Sequence, residues 1–141
     1  MKTVSIGTLI KCITNEYEKN FNQLLVTSGI TASQCAVLEY LYNTNKEYVN
    51  QKDIERHLNL SNPTVTGLLK RLDEKGYVLV VPSSQDKRKK NVHLTEHALD
   101  MQKRLDHSKK KIENAMVRGM KKNEIQCMQK YLERVLYNIE G

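Results

Sequence analysis

Apolar side chains recur at helical spacing at both ends of the chain. The first set predicts a long helix from about residue 5 to residue 27, closed by Gly29, and consists of Ile6, Leu9, Ile10, Ile13, Tyr17, Phe21, Leu24 and Leu25. A second set predicts a final helix that Asn123 caps and that runs almost to Gly141; it consists of Ile125, Met128, Leu132, Val135 and Ile139. Both ends are therefore predicted to be amphipathic helices.

Shorter helices are predicted between these two. Thr31 followed three residues later by Gln34 is a capping box and predicts a helix that begins there. Asn50 is the predicted cap of a helix over residues 51–58, and Ser61 is the predicted cap of the next one. Only two or three residues separate these last two helices, so they must turn sharply against each other.

The period then changes from helix to strand. The helix from Ser61 stops at Gly76, and residues 77–81 and 91–94 are short apolar or β-branched runs. The polar loop between the runs makes them a hairpin, after which Thr95 caps a long helix. We expect this helix to reach about residue 118. The predicted fold class is mainly α with a small β-hairpin (α+β).

Composition narrows the partners and the compartment. The 141 residues carry 23 Lys and Arg against 16 Asp and Glu, a net charge of +7 that favours a polyanionic partner, either nucleic acid or an acidic membrane surface. No apolar run approaches the length of a membrane span, and none forms a signal peptide. Cys12, Cys35 and Cys127 are odd in number and lack a CxxC motif. We expect reduced thiols, a cytoplasmic location and no membrane partner.

Motifs for catalysis and for metal binding are missing from the sequence. It contains no glycine-rich phosphate loop and no nucleophile motif, so we expect no enzyme and no cofactor. The four histidines are scattered, at His57, His93, His97 and His107, without the spacing of metal ligands. We therefore expect no metal site.

The helix that begins at Ser61 has two different faces. At 100° per residue, one face carries Val65, Leu68, Leu69 and Leu72, and the opposite face carries Pro63, Thr66, Gly67 and Lys70. Small, hydrogen-bonding and cationic groups suit a helix that enters the major groove of DNA. An ordinary amphipathic helix whose solvent face lacks acids fits equally well, so the helix alone leaves both interpretations open.

The hairpin loop changes this balance. Lys87, Arg88, Lys89 and Lys90 place four adjacent cations on the loop, with only Asp86 beside them. Such cations repel one another unless phosphates neutralise them. A basic loop one strand after a groove-compatible helix favours a winged helix-turn-helix that binds DNA. A winged helix used only for protein interaction would have little use for this loop.

Two segments resemble one known family. SNPTVTGLLKRLDEKGYV (61–78) and DKRKKNVHLTEHA (86–98) are similar to the recognition helix and wing of MarR-family regulators, except that Ala98 stands where many members have Gly. The resemblance implies one unit over 1–141, with a winged helix-turn-helix over 31–98 and dimerisation helices in 1–30 and 99–141. It also implies a homodimer that binds a pseudo-palindromic operator in double-stranded DNA, with repression as the usual mode.

The resemblance assigns roles to individual residues. Ser61, Thr64, Thr66 and Lys70 would contact DNA, and Arg88 would enter the minor groove with Asp86 orienting it. Together with the helix-face and charge arguments, the predicted DNA-binding set is Ser61, Asn62, Thr64, Thr66, Lys70, Arg71, Lys87, Arg88, Lys89 and Lys90. The apolar stripe of the last helix, which would otherwise pack on its own chain, would form the dimer.

The sequence says little about a signal. Many members of the family bind a small aromatic effector, and the candidate lining residues are Ile13, Tyr17, Phe21, Val37 and Tyr40. Ordinary packing is the favoured interpretation of each. Some members sense oxidants through a cysteine in the first helix. Cys12 matches that position poorly, so we expect it to be a buried, inert thiol.

Overall fold

The computed structural model describes residues 2–141, which form six helices and a two-stranded antiparallel hairpin. The elements are α1 (Ile6–Ser28), α2 (Ala32–Asn43), α3 (Gln51–Leu58), α4 (Asn62–Glu74), β1 (Val78–Pro82), β2 (Lys90–Leu94), α5 (Glu96–Met116) and α6 (Lys122–Glu140). The predicted fold class is confirmed. The chain divides into two compact units within α5, one up to Ser108 and one over Lys109–Gly141.

The predicted helix starts of the first unit are confirmed by their caps. The side chains of Ser5, Thr31, Asn50 and Ser61 each accept a hydrogen bond from the backbone N–H three residues on. Each of these bonds satisfies one of the backbone donors that a helix leaves unpaired in its first turn. Local chemistry therefore sets where α1 to α4 begin.

The predicted cap of α6 is wrong. Asn123 lies inside the helix, and the N-cap is Lys121, whose backbone N–H donates to Glu124 Oε1 at 2.7 Å. A glutamate at the third helical position can satisfy this donor without a capping side chain at Lys121 itself. Other bounds are shifted by one or two residues, among them the end of α5 at Met116 and the starts of β1 and β2 at Val78 and Lys90.

The core of the first unit lies between α2, α3, α4 and the hairpin. Its centre contains Val37, Ile54, Val65 and Leu72, each with none of its surface exposed. Apolar burial of this kind is the main term that stabilises a folded domain. The core fixes α3 and α4 against each other and therefore determines which face of α4 is exposed.

Two hydrogen bonds join the hairpin to the rest of this unit, one in the middle of β2 and one at the base of the hairpin. β1 pairs with β2 from Val78–Leu94 to Pro82–Lys90, and Val92 N–H donates to the Val49 carbonyl at 2.8 Å. At its base, the Thr95 hydroxyl donates to the Gly76 carbonyl at 2.6 Å. These bonds fix the direction of the hairpin relative to the end of α4.

The second unit consists of the end of α5 and all of α6. No residue of α6 is buried, and Leu132, Leu136 and Ile139 are 49, 57 and 79% exposed.

Among residues 2–141, no single helix is long and apolar enough to cross a membrane. The bent pair of α1 and α2 passes that test only when the two helices are taken together, by length and composition.

Candidate nucleic-acid interface

The exposed face of α4 is polar over its first two and a half turns. Val65, Leu69 and Leu72 are buried and Leu68 is half-buried, as the helical period predicts. The exposed residues between them are Ser61, Asn62, Pro63, Thr64, Thr66, Gly67, Lys70 and Arg71. This surface offers hydroxyl, amide and cationic groups without a carboxylate, because Asp73 and Glu74 come only at the end of the helix.

Two side chains of α3 hold this face of α4. Gln51 donates from Nε2 to Thr66 Oγ1 at 2.8 Å and to the Asn62 carbonyl at 3.4 Å. One turn later on α3, Glu55 Oε2 accepts a hydrogen bond from the Asn62 amide at 3.3 Å. Sequence reasoning missed both residues. Their spacing of four, which puts them on one helix face, was the available signal.

A single carboxylate organises the hairpin tip. Asp86 Oδ1 accepts from the backbone N–H of Arg88 at 3.0 Å and from its Nε at 3.3 Å. The Asp86 carbonyl also accepts the N–H of Lys89 at 2.9 Å, which closes the turn. The Arg88 side chain is nevertheless 92% exposed, so the contact orients it without burying it. An exposed pair of this kind contributes little stability, roughly 0–1 kcal/mol.

A groove of about 270 Å³ lies between the start of α3, the start of α4 and the hairpin tip. It is lined by Asn50, Gln51, Lys52, Glu55, Asn62, Thr66, Arg88, Lys89 and Lys90. Four of these residues are cationic and one, Glu55, is acidic. Clustered cations and amide donors suit the phosphodiester backbone, whose oxygens are the commonest protein contacts of DNA. Lys52 was not predicted.

The structure brings only part of the predicted set into this groove. Asn62, Thr66, Arg88, Lys89 and Lys90 line it. Ser61 caps α4 and shares a 2.8 Å hydrogen bond with Thr64. Lys70, Arg71 and Lys87 are exposed and are not part of the groove lining. The contact of each residue with DNA stays a prediction.

The five candidate effector residues differ widely in accessibility. Val37 is completely buried in the core, whereas Ile13 is 52% exposed. Tyr17 and Phe21 are half-buried with their rings 6.4 Å apart, and Tyr40 stacks on His57 at 4.3 Å. An effector site that uses Val37 would require the core to open. This site stays a prediction.

The prediction of a buried Cys12 is wrong. Cys12 is exposed on α1, and Cys127 is exposed on α6, while Cys35 is the buried thiol. The prediction rested on how often free cysteines serve as core, whereas here the first half of the α1 stripe, including Ile6 and Leu9, is itself exposed. Among the described residues, no group of three or more His, Cys, Asp or Glu side chains is placed to hold a metal ion.

Comparisons with known proteins agree with this geometry. A model of the MarR family matches residues 28–89, which cover α2, α3, α4, β1 and most of the hairpin tip. The uncharacterised HTH-type transcriptional regulator YwoH of Bacillus subtilis (strain 168) is 40% identical over 80 residues, 57% of this chain and 56% of that protein. This chain thus spans little more than half the length of YwoH.

Two further proteins match over more of the chain. The HTH-type transcriptional repressor IacR of Pseudomonas putida is 27% identical over 124 residues, 88% of this chain and 73% of that protein. The crystal structure of a complex of Staphylococcus aureus MepR with DNA superimposes with a TM-score of 0.78 and 27% identity. That superposition covers 94% of this chain and 98% of MepR.

Proposed function

Because the chain belongs to the MarR family of winged helix-turn-helix transcriptional regulators, we propose that it is a homodimeric repressor of a pseudo-palindromic operator. Its relatives and its structural neighbours are transcriptional regulators and not enzymes. The observation that carries the proposal is the groove in which the polar face of α4 meets the basic hairpin tip.

In this proposal α4 is the recognition helix. Thr64, Thr66 and Lys70 are exposed on it, and the helix is held from behind by a fully buried Val65 and Leu72. A rigid helix with polar groups on its exposed face suits the major groove, which is wide enough to admit it. Ser61, Asn62 and Arg71 would contact the adjoining backbone.

The hairpin is the wing. Arg88, oriented by Asp86, would enter the minor groove, and Lys87, Lys89 and Lys90 would meet phosphates on either side. The narrow minor groove of A·T-rich DNA has the most negative potential, which favours an inserted arginine. MepR, a structural neighbour at 27% identity, has been crystallised with DNA, which supports DNA as the partner.

The dimer would form through helices of 1–30 and 99–141, with winged-helix regions over 31–98 placed on the two half-sites. This assignment is supported by the apolar stripe on α6, in which no residue is buried: Leu132 and Ile139 are exposed, and Ile125, Met128 and Val135 are half-buried. An operator with two-fold symmetry matches a protein with two-fold symmetry.

Repression and its release are the finer parts of the proposal. IacR, which is similar to this chain over most of its length, is named as a repressor, and this supports repression rather than activation here. Release by a small aromatic effector at Ile13, Tyr17, Phe21, Val37 and Tyr40 rests on the family resemblance.

Sites selected from random DNA by the purified full-length protein would supply the operator. Operator affinity would then be titrated against salt for the wild type and for Lys70→Ala and Arg88→Ala, with Lys19→Ala as the control. Lys19 is exposed on α1 and is not part of the groove lining.

We expect both interface variants to weaken binding and Lys19→Ala to bind like the wild type. Each lost phosphate contact should reduce the slope of log K against log salt by about 0.9. Failure of the wild type to select any sequence would contradict the proposal. Wild-type affinity in Arg88→Ala would remove the wing from it.

A further inference from the structure

Thr66 differs from an ordinary helical threonine in what its hydroxyl does. The hydroxyl of Thr27 on α1 donates to the Gln23 carbonyl four residues earlier, at 2.9 Å. This back-bond is common for threonine within helices and uses up the hydroxyl hydrogen. The corresponding acceptor for Thr66 is the Asn62 carbonyl. Among the described residues, the Thr66 hydroxyl makes no hydrogen bond to this carbonyl.

The Gln51 amide contacts both groups that this back-bond would join, the Asn62 carbonyl and the Thr66 hydroxyl. Its Nε2 group lies 3.4 Å from the Asn62 carbonyl and 2.8 Å from Thr66 Oγ1. The carbonyl has two lone pairs, of which the helix uses one for the Thr66 N–H. The Gln51 amide takes the other, so the Thr66 hydroxyl hydrogen has no acceptor on α4.

The orientation of the Gln51 amide follows from the same contacts. A backbone carbonyl can only accept hydrogen bonds, so the NH2 group of Gln51, and not its oxygen, must face Asn62. The same NH2 group then donates to Thr66 Oγ1 and engages one of its lone pairs. The Thr66 hydroxyl is exposed, half-satisfied as an acceptor, and has its hydrogen free to donate.

We infer that Gln51 is a positioning residue that presents Thr66 to DNA as a hydrogen-bond donor. The inference rests on the proposed function and specifies the chemistry that Thr66 reads. Its partner on the operator would be an acceptor: N7 or O6 of guanine, N7 of adenine, O4 of thymine, or a phosphate oxygen. The amino groups of cytosine and adenine, which are donors, would be disfavoured at this position.

A double-mutant cycle tests the inference on the full-length protein and its selected operator. Thr66→Val removes the hydroxyl and keeps the shape of the side chain, and Gln51→Met removes the amide and keeps its length. One lost hydrogen bond should lower affinity by about fivefold per half-site in each variant. The double variant should bind no more weakly than Thr66→Val alone, because both substitutions remove the same contact.

The control cycle pairs Gln51→Met with Lys89→Ala, whose effects should multiply because the lysine contacts DNA independently. Repeating the site selection with Gln51→Met and Thr66→Val distinguishes an acceptor on a base edge from a phosphate oxygen. Loss of one base preference in both variants identifies a base edge, whereas a uniform loss of affinity identifies a phosphate.

Thermal unfolding of Thr66→Val should match the wild type because Thr66 is exposed, and Gln51→Met, at a half-buried position, should lower the unfolding temperature only slightly. Effects of Gln51→Met and Thr66→Val that multiply would overturn the inference, as would wild-type affinity in Thr66→Val. Either result would leave the proposed function intact, because the wild type would still bind its operator. A wild type that binds no DNA would overturn both.

Discussion

Helices α4 and α6 are both amphipathic, but they leave opposite faces exposed. In α4 the apolar residues Val65, Leu69 and Leu72 are 0–3% exposed within the first unit, and the polar face is open. In α6 no residue is buried, and Leu132 and Ile139 are 49 and 79% exposed. Similar periodicity in the sequence has led to opposite surfaces.

The difference indicates what each helix binds. A polar, cationic surface next to a basic loop suits a polyanion. A row of exposed apolar side chains on a helix is typical of a protein interface. We therefore expect changes on α6 to act on assembly and changes on the exposed face of α4 to act on DNA binding, and the predictions below test that separation.

The largest effect is expected on α6. Replacing Leu132 and Val135 with Asp places two charges on the apolar stripe and should give a monomer. Because a dimer holds two half-sites at once, operator affinity should fall by about a hundredfold or more. Sedimentation at micromolar concentration measures the first effect and a gel-shift titration the second.

Glu133→Gln, an exposed change on the same helix, is the matched control and should stay dimeric. A wild-type protein that sediments as a monomer would contradict the dimer. A dimeric double variant would place the dimer contact elsewhere.

The next effect is expected on the buried face of α4. Leu72 has none of its surface exposed, so Leu72→Ala should lower the free energy of unfolding by about 2–5 kcal/mol. Leu136→Ala on α6, where the side chain is 57% exposed, should lower the free energy of unfolding much less. This comparison is made in the monomeric variant in which Leu132 and Val135 are replaced with Asp. Urea unfolding of both variants makes the comparison. Equal losses would mean that α6 is buried in solution without a dimer.

Signals that are local in the sequence predicted most of the fold. Thr31 with Gln34, and Asn50 and Ser61, marked helix starts that the structure confirms, because a cap involves residues only three apart. The prediction for Asn123 failed because Glu124 Oε1 accepts the Lys121 N–H, so that α6 begins at Lys122, two residues before the start that a cap at Asn123 would give. Local chemistry predicts the caps well unless two neighbouring residues compete.

The candidate site was only partly predictable. The face of α4 followed from its period, but Gln51 reaches Thr66 across fifteen residues of sequence, and this contact depends on the packing of α3 against α4. The burial of Cys12 was predicted wrongly, because the frequency of buried free cysteines does not say whether the chain covers this face of α1. Periodicity gives the face of a helix, and only the tertiary structure gives the partner of that face.

A smaller effect is expected at Asp53 on α3, whose carboxylate contacts Lys46 and Asn50 of the preceding loop. Burial raises the pKa of its carboxyl, but the Asn50 N–H and the Lys46 ammonium, at 3.1 and 3.0 Å, outweigh burial and leave the pKa below 3.8. The ionised form is therefore favoured by folding. Its contribution is fully present above pH 3.8 and is lost as the pH falls through the lowered pKa.

Asp53→Asn should accordingly lower the free energy of unfolding by about 1 kcal/mol at pH 7 and by less at pH 2–3. Urea unfolding at the two pH values measures the difference. Asp100→Asn on α5, where the side chain is exposed, should change stability by less than about 0.5 kcal/mol. A pH-independent loss in Asp53→Asn would mean that packing, and not charge, explains the effect.

The smallest effect on stability is expected at Gly67, where one substitution should raise stability and weaken DNA binding. It lies within α4 on the exposed face, and, apart from its chain neighbours and the backbone of α4 itself, a Cβ added there would meet no described atom within 4 Å. Glycine inside a helix is less stable than alanine by about 1 kcal/mol, so Gly67→Ala should stabilise the free protein by up to that amount. Nothing in its own unit requires a glycine here, whereas close approach of a DNA groove to the helix would. Gly67→Ala should therefore weaken operator binding while raising the unfolding temperature, and Gly7→Ala, at an equally open position on α1, should leave binding unchanged. Wild-type operator affinity in Gly67→Ala would show that DNA does not approach α4 at this position.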